Sequence, residues 1–377
     1  MKVAVIGLGI VALADAIVFA RKHEVVVTGP VPDRVDAINA RIFPLDEPDL
    51  AEFLAGNALN LRATLDTVDA LRGADLVLVS APISRDPETG MIRTVELESR
   101  IEFVHRHYPN VPIVIRSAVP VGFCDQMRQT LRSASLVYVP EFRREGNLLA
   151  DALNPGFLIV GDRGELGARV GAALAAATDV GDLQIHRMGA AEAEAVKHFS
   201  QAYLAARVAF FNECDTFAMQ HGLDARLIID AVTLDPRIGG FARNPCFGFS
   251  GQRLPQSLNL LSQAFMDVPA RVMNSVTSAN DTRITLLASK VLEKTPRHIG
   301  VYNPQGTHRG SDTITQLQDR LRASGTRVTV FDRIAGQGDP EFEIFKRGCD
   351  VIVANRMSPE LRDIRDKVFC RDLYATG

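Results

Sequence analysis

The 377-residue chain reads as an α/β protein, with two parallel-sheet parts joined by a central helical part that contains one long helix. Three observations carry this expectation. Over residues 1–190, short β-branched or aliphatic runs alternate with helical patterns, as in a parallel sheet covered on both faces. Residues 191–294 lose the strand runs and keep helical apolar spacing, and residues 295–377 return to the strand–helix alternation. Those three ranges are the expected domains.

In chain order, the first part should place strands at 2–7, 24–29, 75–80, 112–117, 136–140 and 157–161. Each is a continuous aliphatic run of the kind found in strands buried on both faces. Gly29-Pro30 and Val119-Pro120-Val121-Gly122 close two of them. Residues 190–220 contain no helix breaker and carry Val196, Phe199, Tyr203, Leu204, Phe210 and Phe211 at helical spacing. A helix this long needs a partner surface, such as a dimer seam or a domain spine. A glycine- and proline-marked loop at 244–257 precedes a second helical stretch at 258–292. The last part should hold strands at 298–302, 327–331 and 351–354, with a helix at 313–323.

Composition narrows the function classes. With 46% apolar and 23% charged residues and a net charge of −3, the chain offers no basic field for nucleic acid. Its five scattered cysteines lack C-x-x-C spacing, which argues against a disulfide scaffold or a zinc site and for a reducing cytoplasm. The apolar N-terminus, with Ala12-Leu13-Ala14, imitates a secretory signal, but Gly7, Gly9 and Asp15 interrupt it and a second strand follows at βαβ spacing. No run approaches the length of a membrane span.

The first strand leads into Gly7-Leu8-Gly9-Ile10-Val11-Ala12, a G-x-G-x-x-A turn opening a helix. Gly7 allows the tight turn, Gly9 lets the backbone approach a pyrophosphate at the helix N-terminus, and Ala12 packs helix on strand. This is the pattern of a Rossmann dinucleotide-binding domain. The second strand of such a domain should end in an acid that binds the NAD ribose; here Gly29 stands there, and Asp33 reads as a helix-start residue. NAD binding is therefore expected to be weakened. Gly7 and Gly9 can also be turn formers inherited with the fold.

The loop at 244–257, Asn-Pro-Cys-Phe-Gly-Phe-Ser-Gly-Gln-Arg-Leu-Pro-Gln-Ser, resembles the active-site loop of the UDP-glucose/GDP-mannose dehydrogenase family, roughly F-G-x-G-G-x-C-L-P-K-D. Phe247, Gly248, Gly251, Leu254 and Pro255 match it. Val119-Pro-Val-Gly-Phe123, Pro140-Glu-Phe-Arg-Arg-Glu-Gly146, Glu194-Ala-Val-Lys197, Phe211-Asn-Glu213, Leu234-Asp-Pro-Arg-Ile-Gly239 and Asn355-Arg-Met357 extend the likeness in order along nearly the whole chain. The resemblance implies a Rossmann domain, a central dimerisation domain and a C-terminal Rossmann-like domain that binds the UDP moiety of a UDP-sugar, assembled as a homodimer. It also implies a cysteine that attacks a C6 aldehyde, with two hydride transfers to NAD passing through a thiohemiacetal and a thioester.

Carried over position by position, Glu141 and Glu145 match the family glutamates and Lys197 the family lysine. Arg237 matches an arginine reaching the sugar nucleotide from the partner subunit, and Arg309 a C-terminal substrate arginine. Phe247, Gly248 and Gly251 shape the substrate loop. The departures fall on reacting positions: Arg253 replaces the cysteine, Ser257 the aspartate, Gln256 a lysine, Gln201 an asparagine and Ala118 a threonine. Arginine is always protonated and cannot form a thioester. Cys246 and Cys124 read as apolar packers rather than substitutes.

Each retained residue has a plainer reading. Glu141 and Glu145 can be carboxylates bonded to backbone amides, Lys197 a solvated surface lysine, and Arg356 a structural partner of Glu360 or Asp363. Arg253 also has a functional reading, as a bidentate anchor for an anionic ligand. Three functions stay open: a nucleotide-sugar-binding pseudoenzyme or repurposed enzyme, an oxidoreductase performing one two-electron step without a thiol, and a non-catalytic assembly or regulatory subunit.

Overall fold

The computed structural model describes residues 1–86, 92–133, 135–144, 146–251, 253–265, 268–304, 313–336 and 338–375. They form two compact units, Met1–His198 and Phe199–Gly377.

In the first unit, β1 (Lys2–Ile6), β2 (Glu24–Thr28), β3 (Leu61–Thr64), β4 (Leu76–Val79), Ile113–Ile115 and Leu136–Tyr138 make one parallel sheet. Its order is β3, β2, β1, β4, then Ile113–Ile115 and Leu136–Tyr138. The order reverses between β1 and β4, so the turns after these strands flank the crevice where ligands of open α/β sheets bind. Side chains of alternate strand residues enter two apolar layers. Val3, Val5, Val25 and Val27 pack under helix α1 (Ile10–Ala20), while Ala4, Ile6, Val77 and Val79 face the opposite layer.

Five of the six strands expected in the first part join this sheet. The stretch at 157–161 instead supplies Leu158–Val160, which pairs in parallel with Ile185–Arg187 and touches the main sheet through one bridge, Tyr138 to Gly161. The sixth strand of the sheet is Leu61–Thr64, at the opposite edge beside β2, whose Leu-Arg-Ala-Thr sequence alternates buried and exposed positions and so lacks a continuous apolar run.

The long helix, Ala190–His221, starts in the first unit and continues in the second. The second unit holds a four-stranded parallel sheet, ordered Arg327–Phe331, His298–Tyr302, Val351–Ala354, Val368–Phe369. Its three longer strands and the helix Thr313–Ala323 match the expected ranges. The helix expected at 258–292 is two helices, Arg253–Ala264 and Arg271–Leu292. Pro269 lies between them, and a proline in a helix interior removes a hydrogen bond and clashes with the preceding turn. The first helix also begins earlier, so Arg253, Leu254, Pro255, Gln256 and Ser257 belong to a helix rather than to the loop. Pro255 is tolerated there because first-turn N–H groups have no intrahelical acceptor.

Candidate functional site

The turn after β1 separates the two readings of its glycines. Gly7 has φ +136, and a Cβ on it would fall 2.2 Å from the Ser80 carbonyl oxygen, so the fold itself requires glycine. Gly9 is different. It is the extended N-cap of α1, is exposed, and nothing stands within 4 Å of where its Cβ would be. The protein gains no packing from glycine at position 9, whereas a ligand approaching the helix N-terminus does gain access. Ala12 is buried against this turn. Gly29 follows β2 directly and presents no acid, and Leu8 packs beside it. Asp33 lies in the first turn of α2 (Pro32–Asn39). The N-terminus of α1 is thus left open over Gly9, and position 29 carries no carboxylate of the kind expected for an NAD ribose.

At the same sheet edge, the start of the long helix holds two loops. Lys197 is 5% exposed, and its Nζ donates to the Glu141 carbonyl at 2.5 Å and to Glu141 Oε1 at 3.2 Å. Glu141 Oε2 accepts from the Arg143 backbone N–H at 3.0 Å. The solvated-surface reading of Lys197 is therefore wrong, while part of the plain reading of Glu141, bonding to a backbone amide, is present. Glu145 lies outside the described residues.

Three residues earlier, Glu194 accepts from the N–H groups of Gly122 (2.6 Å) and Cys124 (2.9 Å). It thereby caps the helix Phe123–Leu131 from another element, satisfying donors that have no intrahelical acceptor. Burial nevertheless raises the Glu194 carboxyl above its ordinary range, since these amide bonds only partly offset the loss of water. His198 Nε2 bonds the Val119 carbonyl at 2.6 Å, and burial lowers its pKa. Ala118, half-buried, precedes this anchored segment. Burial also pushes the Cys124 thiol well up, as a packing cysteine requires.

Beneath the Glu141 loop lies a second charged group. Asp15, on the buried helix α1, receives Arg116 Nε at 2.8 Å and Nη2 at 3.2 Å, together with Arg143 Nη2. Burial raises the Asp15 carboxyl, but the two guanidinium groups more than offset it, leaving its pKa below the ordinary value. Arg116 also donates to the Val139 carbonyl at 2.7 Å, fixing the chain just before Glu141.

In the second unit, the loop before helix Arg253–Ala264 is held by its backbone. Cys246 N donates to Asn212 Oδ1 (2.8 Å), Phe247 N to Asn355 Oδ1 (3.0 Å) and Phe249 N to Asn280 Oδ1 (2.9 Å). The carbonyls of Cys246 and Pro245 accept from Arg283 Nε (3.2 Å) and Arg356 Nη1 (3.0 Å). Arg356 thus serves the loop rather than Glu360 or Asp363, the latter being paired with Lys346. Gly248 has φ +146, and a Cβ there would meet Asn280 Oδ1 at 2.4 Å; Gly251 has φ +80. Phe247 is fully buried. The Cys246 thiol, also buried, faces the Gly248 carbonyl at 3.3 Å.

Arg253 is half-buried at the start of its helix, Gln256 half-buried and Ser257 buried one turn on. Gln201 is buried on the long helix. The Arg237 side chain is 88% exposed and pairs with Asp235. Arg309 lies outside the described residues. The loop's supports Asn212, Asn280 and Arg283 escaped sequence reasoning because their partners are backbone atoms 31–37 residues away. Asn212 and Asn355 did lie within motifs singled out for their resemblance. Among the described residues, no helix is long and apolar enough to cross a membrane.

A parallel sheet that reverses order beside a strand–glycine–helix turn defines a dinucleotide-binding α/β protein. Family models sharpen the class. The NAD-binding domain of the UDP-glucose/GDP-mannose dehydrogenase family matches residues 1–176, and that family's central domain matches residues 191–282. The chain is 32% identical to a UDP-glucose 6-dehydrogenase of Streptococcus pneumoniae over 391 aligned positions, covering 99% of each chain. It is 30% identical to one from Campylobacter jejuni, covering 100% of each. A UDP-glucose dehydrogenase structure from Pyrobaculum islandicum has a TM-score of 0.85 at 22% identity, over 100% of this chain and 94% of that one, and so shares the fold. The chain belongs to the UDP-glucose/GDP-mannose dehydrogenase family.

Proposed function

We propose that this family member binds a dinucleotide and a UDP-sugar or related nucleotide sugar but has lost thiol-dependent oxidation to a uronic acid. It is a pseudoenzyme or an enzyme repurposed to chemistry that needs no nucleophile. The observation that carries this reading is Arg253 at the position where the family loop has its cysteine. A guanidinium offers no nucleophile at neutral pH, so neither thiohemiacetal nor thioester can form there. Cys246, the nearest thiol in sequence, is buried behind Gly248, and Cys124 is buried with its pKa raised, which supports neither as a replacement. Ala118, Gln201 and Ser257 in place of threonine, asparagine and aspartate support the same loss.

The retained parts support binding: Gly7, Gly9 and Ala12 for the pyrophosphate, and the held loop with Phe247, Gly248 and Gly251 for the sugar nucleotide. Arg253 is assigned to hold an anionic or hydroxyl-rich ligand. Arg309 is assigned to the sugar nucleotide, and Glu145 joins Glu141 in the family acid pair. The domains are 1–190, 191–294 and 295–377, the assembly is a homodimer, and the setting is cytoplasmic. Phe199, Tyr203, Phe210 and Phe217 are exposed on the long helix at spacings of 4, 7 and 7, which places them on one apolar face suited to a second copy. Outward-pointing Arg237 would then reach the neighbouring subunit's ligand.

The buried Lys197–Glu141 pair favours a second reading, a single two-electron step on a nucleotide sugar with these two groups handling the proton. A gain-of-function test addresses the main one. Arg253→Cys with Gln256→Lys, Ser257→Asp and Ala118→Thr should restore uronate formation from a UDP-sugar. A folded variant that binds both ligands and still makes no uronate would mean that the loss lies elsewhere.

A further inference from the structure

We propose that the dinucleotide site takes a ribose bearing a 2′-phosphate, NADP(H), in preference to NAD(H). The inference rests on the dinucleotide half of the reading above and is independent of whether any sugar is oxidised. The geometry at the end of β2 carries it. In an NAD site a carboxylate there accepts hydrogen bonds from the ribose hydroxyls, and the same carboxylate repels a phosphate on the 2′-oxygen. Position 29 is glycine, and the Leu8 side chain fills the adjoining space: a Cβ on Gly29 would lie 2.7 Å from Leu8 Cγ and 2.8 Å from Leu8 Cδ1. That position therefore supplies neither the favourable contact with NAD nor the repulsion against NADP.

What stands beside it is a cation. Arg34, in the first turn of α2, reaches back so that its Nη1 donates to the Leu8 carbonyl at 2.9 Å. Leu8 is the residue between the two glycines of the phosphate turn, so the guanidinium sits at the mouth of that turn, on the side of β2. The bond to Leu8 uses one of five N–H donors. Among the described residues, Arg34 forms no ion pair, and its side chain is half-exposed.

The acids following β3 are engaged elsewhere. Asp66 caps the helix Thr67–Leu71 by accepting from Val68 N at 2.9 Å, and Asp69 pairs with Arg62 at 2.6 Å. Asp33 and Asp36 flank Arg34 in sequence without pairing to it. A planar guanidinium with unspent donors and no carboxylate partner matches a phosphomonoester in charge and geometry, whereas two ribose hydroxyls offer it no charge. The pyrophosphate turn is common to both cofactors, so the difference falls on the 2′ group alone.

Binding, rather than turnover, tests this. The protein contains no tryptophan, so the emission of a bound reduced nicotinamide can be followed without indole background, with calorimetry as a second readout. NADPH should bind at least about tenfold more tightly than NADH, as expected when a charge-assisted contact is gained. Adenosine 2′,5′-bisphosphate should compete better than ADP. Arg34→Ala should bring NADPH down to the NADH level while leaving NADH within about twofold, and Arg34→Lys should retain part of the preference. Leu8→Ala with Gly29→Asp should reverse it.

Equal or tighter binding of NADH, no binding of either cofactor, or an Arg34→Ala variant that loses both alike would overturn the proposal. The last outcome would mean that Arg34 only supports the turn. Absence of binding of either cofactor would also overturn the dinucleotide half of the proposed function, whereas equal or tighter binding of NADH leaves that half standing, and none of these results bears on uronate formation.

Discussion

At the scale of single residues, buried charges decide more than their number suggests. Asp15 lies inside a helix whose other buried positions are apolar, and it is tolerated because Arg116 and Arg143 meet both of its oxygens. Removing one partner of a buried pair leaves the others unpaired in low dielectric, which costs about 3–5 kcal/mol. Asp15→Asn should therefore lower stability at pH 7 by about 3 kcal/mol in urea unfolding. The pH dependence has a definite sign. The folded-state carboxyl titrates below its unfolded value, so its stabilisation is full above about pH 4 and drains away as pH falls toward the folded pKa. The gap between wild type and Asp15→Asn should accordingly narrow below about pH 4; a gap that widens there would contradict the assignment. Asp15 was legible only as an interruption of an apolar run, because its partners lie 101 and 128 residues away.

At the scale of elements, the turn between β1 and α1 contains two glycines with different causes. Gly7→Ala forces a side chain into a positive-φ position and against the Ser80 carbonyl, and should destabilise the first unit by about 1–3 kcal/mol. Gly9→Ala meets no atom of the protein, so stability should change by less than about 0.5 kcal/mol while dinucleotide affinity falls. Thermal melts with and without cofactor separate the two; a Gly9→Ala variant that binds normally would return both glycines to a purely structural role.

The contrast also shows what the sequence carried. Strands buried on both faces, such as Val25-Val26-Val27, announce themselves by composition, and so did the long helix. Leu61–Thr64 did not, because an edge strand with one face in water alternates and resembles a loop. The helix Arg253–Ala264 was hidden by Pro255, which is a breaker in a helix interior but admissible in its first turn. The loop ahead of it was recognised by its glycines, yet the asparagine and arginine side chains holding its backbone come from distant elements that only the folded chain brings near.

At the scale of the whole molecule, the long helix carries both part of the proposed site and the proposed dimer seam. It presents Glu194, Lys197 and His198 to the loops of the first unit and, further on, exposes Phe199, Tyr203, Phe210 and Phe217. In sedimentation analysis the protein should run as a dimer, and Tyr203→Glu with Phe210→Glu should shift it toward monomer by burying charge in an apolar seam. An unchanged dimer would place the seam elsewhere.

In the proposed function, the scaffold and ligand sites persist while thiol chemistry is gone. Its most direct test is turnover by the unaltered protein. Purified protein is incubated with NAD or NADP and a panel of UDP- and GDP-sugars, and followed by nicotinamide absorbance and by mass spectrometry of the sugar product. No uronic acid should form from any of them, and no cysteine-linked sugar adduct should appear on the protein. Steady formation of a uronic acid would contradict the proposed function.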